Sequence, residues 1–450
     1  MFRRVFPYMA LCLALSGPVH GQSLEDAREA LATGDAEAAR ALLAELMATG
    51  APDALALAGL MLRDGLGSEA DLQGAMALFE SSAAAGSVTA QVALGRIYHH
   101  GAPGVPVDPL AAQRYYEAAI EAGSVAARTN LAALIASGVF GPPNWTALRG
   151  LLDTAAEEGS TAARLHLAAL LAQGLGGEAD PFRARDLAEA LVDEGVPGAA
   201  RLLAQMQVQG VGGAADPEAA RALLRAAYEA GEGAAATDLG LLIRAEDPEA
   251  ALRWFTRAAE LGDGWGALNL GRLLSDGEAA PDDDLPRATE LYRQAHAAGI
   301  AEGSYALAIH LWDGLGVETD LEAARTTIRL AAVRGSVAAM NGLGVMLETG
   351  IGGPADPQGA REAYRDSAEA GYVLGAWNLA DLLLSVAATP DDAAEGYAWC
   401  LWAIAAEVDA TLRARHEASC NAHAQTLSEA VLRAAEARFA ELPDPENAIR

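Results

Sequence analysis

The sequence predicts an all-α chain of about ten stacked αα-hairpins. Three observations carry this: a near-constant glycine interval, an aspartate–proline signal inside it, and a fixed small residue in its first half. Gly50, Gly86, Gly123, Gly159, Gly195, Gly231, Gly262, Gly299, Gly335 and Gly371 stand 36, 37, 36, 36, 36, 31, 37, 36 and 36 residues apart. Intervals of this size belong to supersecondary units that bury their apolar faces against neighbouring units rather than in one globular core.

Residues 1–21 read as a secretory leader. Arg3 and Arg4 open it, residues 5–15 form a mainly apolar run too short to span a bilayer, and Val19 and Gly21 put small residues at −3 and −1 of a cleavage site. Cys12 sits inside the apolar run, badly placed for lipid attachment. The mature chain is therefore expected to begin near Gln22 and to be periplasmic or secreted. No later stretch offers the roughly 18 uninterrupted apolar residues of a membrane span. Residues 22–50 form one degenerate hairpin, expected to cap the front of the array.

Residues 160–195 show the grammar of a unit. Leu165, Leu167, Ala168 and Leu171 recur at helical spacing, and a glycine-rich stretch, 174–177, ends that helix. Asp180 then precedes Pro181: the carboxylate can accept from the open amides of a helix start, and proline fits the first turn because its missing amide is not needed there. A second helix runs to Glu194, and Gly195 allows a left-handed stop. Asp-Pro recurs at 108–109, 216–217, 247–248 and 356–357, with Asp71, Asp320 and Asn144 in the same role. Nine residues after each interval glycine the side chain is small: Gly59, Gly95, Ala132, Ala168, Ala204, Gly240, Gly271, Ala308, Gly344 and Ala380. Helices that meet there can approach closely.

This unit resembles the Sel1-like repeat, seen best in residues 90–123 and 339–371. The period, the loop glycines, the capped second helix and the closing Ala-Ala-x-x-Gly agree together over about residues 50–408. The resemblance implies a right-handed α-solenoid that acts as a protein-interaction scaffold, without catalysis. Bacterial members are often periplasmic, and some regulate envelope signalling or exopolysaccharide assembly. The array is placed at 51–408, closed by one C-terminal capping helix in a helical region at 409–442, with a frayed tail at 443–450. The unit between Gly231 and Gly262 is short, which could put a bend or a gap in the loop-bearing edge. The loop of the last unit, 385–392, lacks glycine.

Charge narrows the partner. The leader removes two of 31 basic residues and none of 61 acids, so the formal charge moves from −30 to −32 on processing. Sequence-independent binding to nucleic acid or anionic lipid needs a basic face, which this balance disfavours. A protein or peptide partner in the cell envelope is expected, with a glycan-associated envelope factor as the alternative.

Catalytic and metal patterns are sparse: no zinc-protease helix, nucleophile elbow, phosphate loop or dinucleotide fingerprint is present. No cofactor or metal is expected. The neighbours His99 and His100 should point to different sides of a helix. Asp282, Asp283 and Asp284 lack the ligand spacing of a calcium loop. His416, Cys420 and His423 share a helical face, and with Cys400 could form a metal set. Cys400 and Cys420 are also the only cysteines left after processing; an exported pair favours a disulfide, with free buried thiols as the other reading. Six of seven tryptophans fall in the second half: Trp254, Trp265, Trp312, Trp377, Trp399 and Trp402. Trp254 takes the second-helix position of Leu78 and Tyr115, expected in the core, and Trp377 an interior turn. Trp265 and Trp312 fit the repeat least and are the candidate partner-binding residues.

Overall fold

The computed structural model describes residues 24–275, 284–386 and 389–449. The leader, Cys12, Asp282 and Asp283 lie outside them. The described residues form 24 α-helices and, apart from isolated bridges, no β-strand. They divide into two compact units, one ending at Pro217 and one beginning at Glu218. Each is a run of antiparallel hairpins packed in chain order, the architecture of an α-solenoid.

The helix starts follow the sequence grammar. Asp71, Asp108, Asn144, Asp180, Asp247, Asp320 and Asp356 each accept from the backbone amide three residues on, at 2.9–3.1 Å. Each cap meets one of the donors a helix start leaves open and is worth about 1 kcal/mol. The interval glycines end the second helices in the left-handed region; Gly231 has φ 100°, which a side chain would strain.

Within each hairpin the small residue of the first helix faces one position of the second, seven residues before the next interval glycine. Gly59 faces Phe79, Gly95 faces Tyr116, Gly240 faces Phe255, Gly271 faces Tyr292 and Gly344 faces Tyr364. All five rings are buried. Where the first position is alanine the second is not aromatic: Ala132 with Leu152, Ala168 with Ala188, Ala308 with Ile328 and Ala380 with Cys400. The two positions share one volume, as close packing requires. The core aromatic therefore lies one residue later than expected. Leu78, Tyr115 and Trp254 are only half-buried, and Trp254 instead meets Tyr228 edge-on at 5.3 Å and carries Arg257 over its face at 4.6 Å.

Several hairpins are clasped to the next at a third position, ten residues before the interval glycine, though Met76, Gln113 and Leu252 hold it elsewhere. Arg40 Nη1 donates to the Gly67 carbonyl at 2.7 Å, Arg149 Nη1 to that of Glu178 at 2.8 Å and Arg325 Nη2 to that of Pro354 at 2.9 Å. Each carbonyl lies in the inner loop of the next hairpin. In the short unit after Gly231 the loop shrinks, and Arg221 reaches the Glu246 carboxylate at 2.5 Å. Arg361 pairs with Asp392 at 2.7 Å and Glu395 at 2.8 Å, where the last loop lacks glycine.

Thr289 holds this position once, and its hydroxyl lies 2.8 Å from both the Leu315 carbonyl and His310 Nδ1. His310 Nε2 reaches the Ser275 hydroxyl at 3.3 Å, and its ring sits edge-on to Tyr292. His310 fills a core place held by Met61, Met206 and Met346 in other units. Burial holds its pKa below the ordinary 6.5, against the opposing pull of the Leu315 carbonyl and the Asp313 carboxylate. The unfolded chain thus binds a proton more readily than the folded one once pH falls below about 6.5, so stability is lost from there downward. Melting measured from pH 7.5 to 5 should fall, and His310→Met should flatten the fall. His99, His296 and His416, also held low by burial, leave a residual slope.

The end of the chain differs from expectation in two ways. The capping region is two helices, Ala410–Ala424 and Glu429–Phe439, because Ser428 caps a fresh start by accepting from the Val431 amide at 3.4 Å. Residues 443–449 are not frayed. The Trp402 indole donates to the Pro443 carbonyl at 2.6 Å, and Ile449 pairs with the backbone at Gly371 and Val373.

Candidate functional site

Trp265 owes its position to its two neighbours. Asp263 opens the helix Gly264–Ser275, accepting from the Gly266 amide at 2.7 Å and the Thr237 hydroxyl at 2.6 Å. Gly264 and Gly266 are both buried. A Cβ on Gly264 would lie 2.5 Å from that of Ala298, and one on Gly266 would run into Ala258. The helix start is pressed between Ala258 of the hairpin before and Ala298 at the end of its own hairpin's second helix, and the residue between the two glycines faces outward. That residue is Trp265, 48% exposed. Asn269 Nδ2 donates to its carbonyl at 2.8 Å, which steadies the turn beneath it.

Leu261, four residues earlier, is 57% exposed at the end of the helix Pro248–Glu260. Sequence reasoning missed it, although a signal exists. The residue before an interval glycine is Ala, Glu, Arg or Thr elsewhere in the array, and a large aliphatic only here. Trp312, the other aromatic candidate, is half-buried against the cluster of Ala308, Ile328 and Met346. It stands in the last turn of a first helix and leans partly into the stack. Trp377 is also half-buried, against the terminal core.

The second cluster lies at the C-terminal end. Cys400 stands 29 residues after Gly371, the place that Tyr364 takes after Gly335. Its sulfur is bonded to that of Cys420, with the Cα atoms 6.1 Å apart and both side chains buried. One turn earlier on the helix of Cys420, His416 stacks flat on Trp377, centroids 3.9 Å apart. Its Nδ1 has no hydrogen-bond partner. Burial lowers its pKa, with Glu407 pulling it back up. The structure thus spends both sulfurs on each other and places the His416 ring against an indole. Among the described residues no group of three or more His, Cys, Asp and Glu side chains is arranged to hold a metal ion.

His99 and His100 do not diverge as expected. Their rings stack at 4.2 Å where the helix ends before Gly101, and Tyr116 lies 3.4 Å from His99 Nδ1. No helix of the described residues is long and apolar enough to cross a membrane.

A family model described as the Sel1 repeat matches residues 52–87, 88–124, 161–196, 197–232, 236–263, 266–299, 301–326 and 337–372. The unmatched stretch after 124 is nonetheless a hairpin, Val125–Ala136 with Trp145–Glu157. Among solved structures, a protective antigen of uropathogenic Escherichia coli displaying an SLR fold is 24% identical, covering 95% of this chain and 99% of its own, with a TM-score of 0.52. A Sel1 repeat protein from Oxalobacter formigenes is 25% identical over 71% of this chain and 92% of its own, with a TM-score of 0.44. The immunity protein Pa5087 from Pseudomonas aeruginosa is 22% identical over 47% of this chain and 82% of its own, with a TM-score of 0.39. No curated protein matches the chain.

Proposed function

Because this chain belongs to the Sel1-repeat family, we propose that it is an exported scaffold of the bacterial envelope that captures a partner protein, without chemistry of its own. Repeat arrays of this family generally mediate protein–protein interactions, and stacking such units creates extended surfaces suited to that task. One observation carries the proposal: Trp265 stands out to solvent between two buried, closely packed glycines at a helix start. An exposed tryptophan offers a partner large apolar area at small entropic cost. Leu261, four residues earlier in the sequence, is a second exposed apolar side chain. The leader-like residues 1–21 and the bonded cysteine pair support an oxidising compartment. The acidic balance favours a partner with a basic face.

The test is Trp265→Ala, read with a photo-crosslinker at position 261 in cells and with affinity for the captured partner. Affinity should fall by about 2 kcal/mol, roughly thirtyfold, while melting stays unchanged. Trp312→Ala should do the reverse, lowering the melting temperature as a packing residue does. Unchanged affinity in a folded Trp265→Ala chain would remove this surface from the proposal. Recovery of glycan in place of protein at the crosslinked site would replace the partner class.

A further inference from the structure

The junction that opens the last repeat shares its lack of a side-chain cap with the helix starts at Pro52, Val88 and Ala301, and differs from the serine-capped ones in what closes it. The helices starting at Val125, Thr161 and Val337 are capped by Ser124, Ser160 and Ser336, whose hydroxyls accept from a backbone amide. The helix Val373–Ser385 has Tyr372 in that place, and no side-chain cap. A neighbouring piece of backbone takes over instead. The Val373 amide donates to the Ile449 carbonyl at 3.1 Å, and the Ile449 amide donates to the Gly371 carbonyl at 2.6 Å. These two bonds, one each way around Tyr372, are the bracket of a parallel strand pair.

The occupant is partly exposed and seated by main-chain bonds. Ile449 is 46% exposed. Ahead of it, Ala448 packs on the terminal core, Pro445–Asn447 forms a single short turn, and Pro443 accepts from the Trp402 indole. The bracket reads only main-chain atoms, so any extended segment satisfies it. Selection falls to the place of Ala448, which admits a small apolar side chain.

We propose that the Gly371–Val373 junction is a peptide-binding site, closed in cis by residues 443–449. Its partner is an extended segment of another protein carrying a small apolar residue where Ala448 lies. Capture in trans then requires the resident segment to leave, so the segment sets the threshold for binding, as strand addition does at an open backbone edge. This goes beyond the scaffold reading and does not use Trp265, so either can fail while the other stands.

The test uses the full chain, a fluorescein-labelled synthetic peptide of residues 441–450, and Ile449→Pro, which removes the amide that donates to Gly371. In the parent chain the Val373 amide should exchange slowly with deuterium and the peptide should bind weakly. In Ile449→Pro the Val373 amide should lose protection, and the peptide should bind at least about tenfold more tightly by anisotropy. A truncation after Leu442 should behave alike, which covers the case in which proline leaves the segment seated. Equal Val373 exchange in the parent and the truncated chain would show that the segment does not occupy the bracket. A folded truncated chain that binds the peptide no better than the parent would overturn the site.

Discussion

Replacing Cys400 and Cys420 by serine is expected to cost about 3 kcal/mol, and to free the helix Ala410–Ala424 before the rest of the second unit unfolds. The bond closes a loop across a sequence separation of 20 residues, and closing a loop of that size in the unfolded chain contributes roughly this amount. Loss should concentrate on this helix, because it presents few buried residues of its own, His416 and Cys420 among them. Hydrogen exchange should show it opening early, together with loss of the His416–Trp377 stack, seen as a change in tryptophan fluorescence. Reductant should reproduce the effect in the parent chain and leave the serine variant unchanged. Alkylation of both cysteines without reductant in protein isolated from its native cells would reject the bond.

Replacing Gly59 by alanine should destabilise the first unit by about 2 kcal/mol. The new Cβ would lie 2.6 Å from Cε1 of Phe79, a ring with no exposed surface and no free space to yield. Overpacking of this kind costs roughly 1–3 kcal/mol, partly offset by the better helix propensity of alanine. Adding Phe79→Leu should restore most of the loss, because alanine with leucine is the pair already used at Ala132 and Leu152. Urea unfolding of the two single variants and the double variant forms a cycle, and a coupling of at least 1 kcal/mol is expected. Additive losses would show that the two positions do not share one volume.

The hairpins, their caps and their stops were legible in the sequence, because glycine, proline and aspartate act through local backbone geometry. The small position nine residues after each glycine was legible too. Its partner was not: a helical face holds neighbouring apolar residues, Tyr115 beside Tyr116 and Trp254 beside Phe255, and only packing decides which turns inward. The bonded cysteines were readable as a pair, since the leader-like start of the sequence leaves only these two and points to an oxidising compartment, where a disulfide is the favoured state. The exposure of Trp265 against the half-burial of Trp312 depended on what each helix presses against, namely Ala258 and Ala298 for one and Ile328 for the other. Residues 443–449 gave no periodic signal, and their seat is set by an uncapped amide 76 positions away in the sequence. The clasps were missed because their targets are backbone carbonyls, which every residue carries.

That choice of target bears on how such a chain changes length over generations. A clasp that grips main-chain oxygen keeps no record of its neighbour's side chains. Arg40, Arg149 and Arg325 each grip a loop of different sequence with the same chemistry. Recombination that removes or copies one whole interval therefore hands each surviving arginine a carbonyl it can still grip. A change of any other length moves that carbonyl relative to the arginine. The near-constant spacing is then the trace of which genetic accidents such an array survives, and the 31-residue step after Gly231, where Arg221 grips a carboxylate instead, is one that needed its own repair.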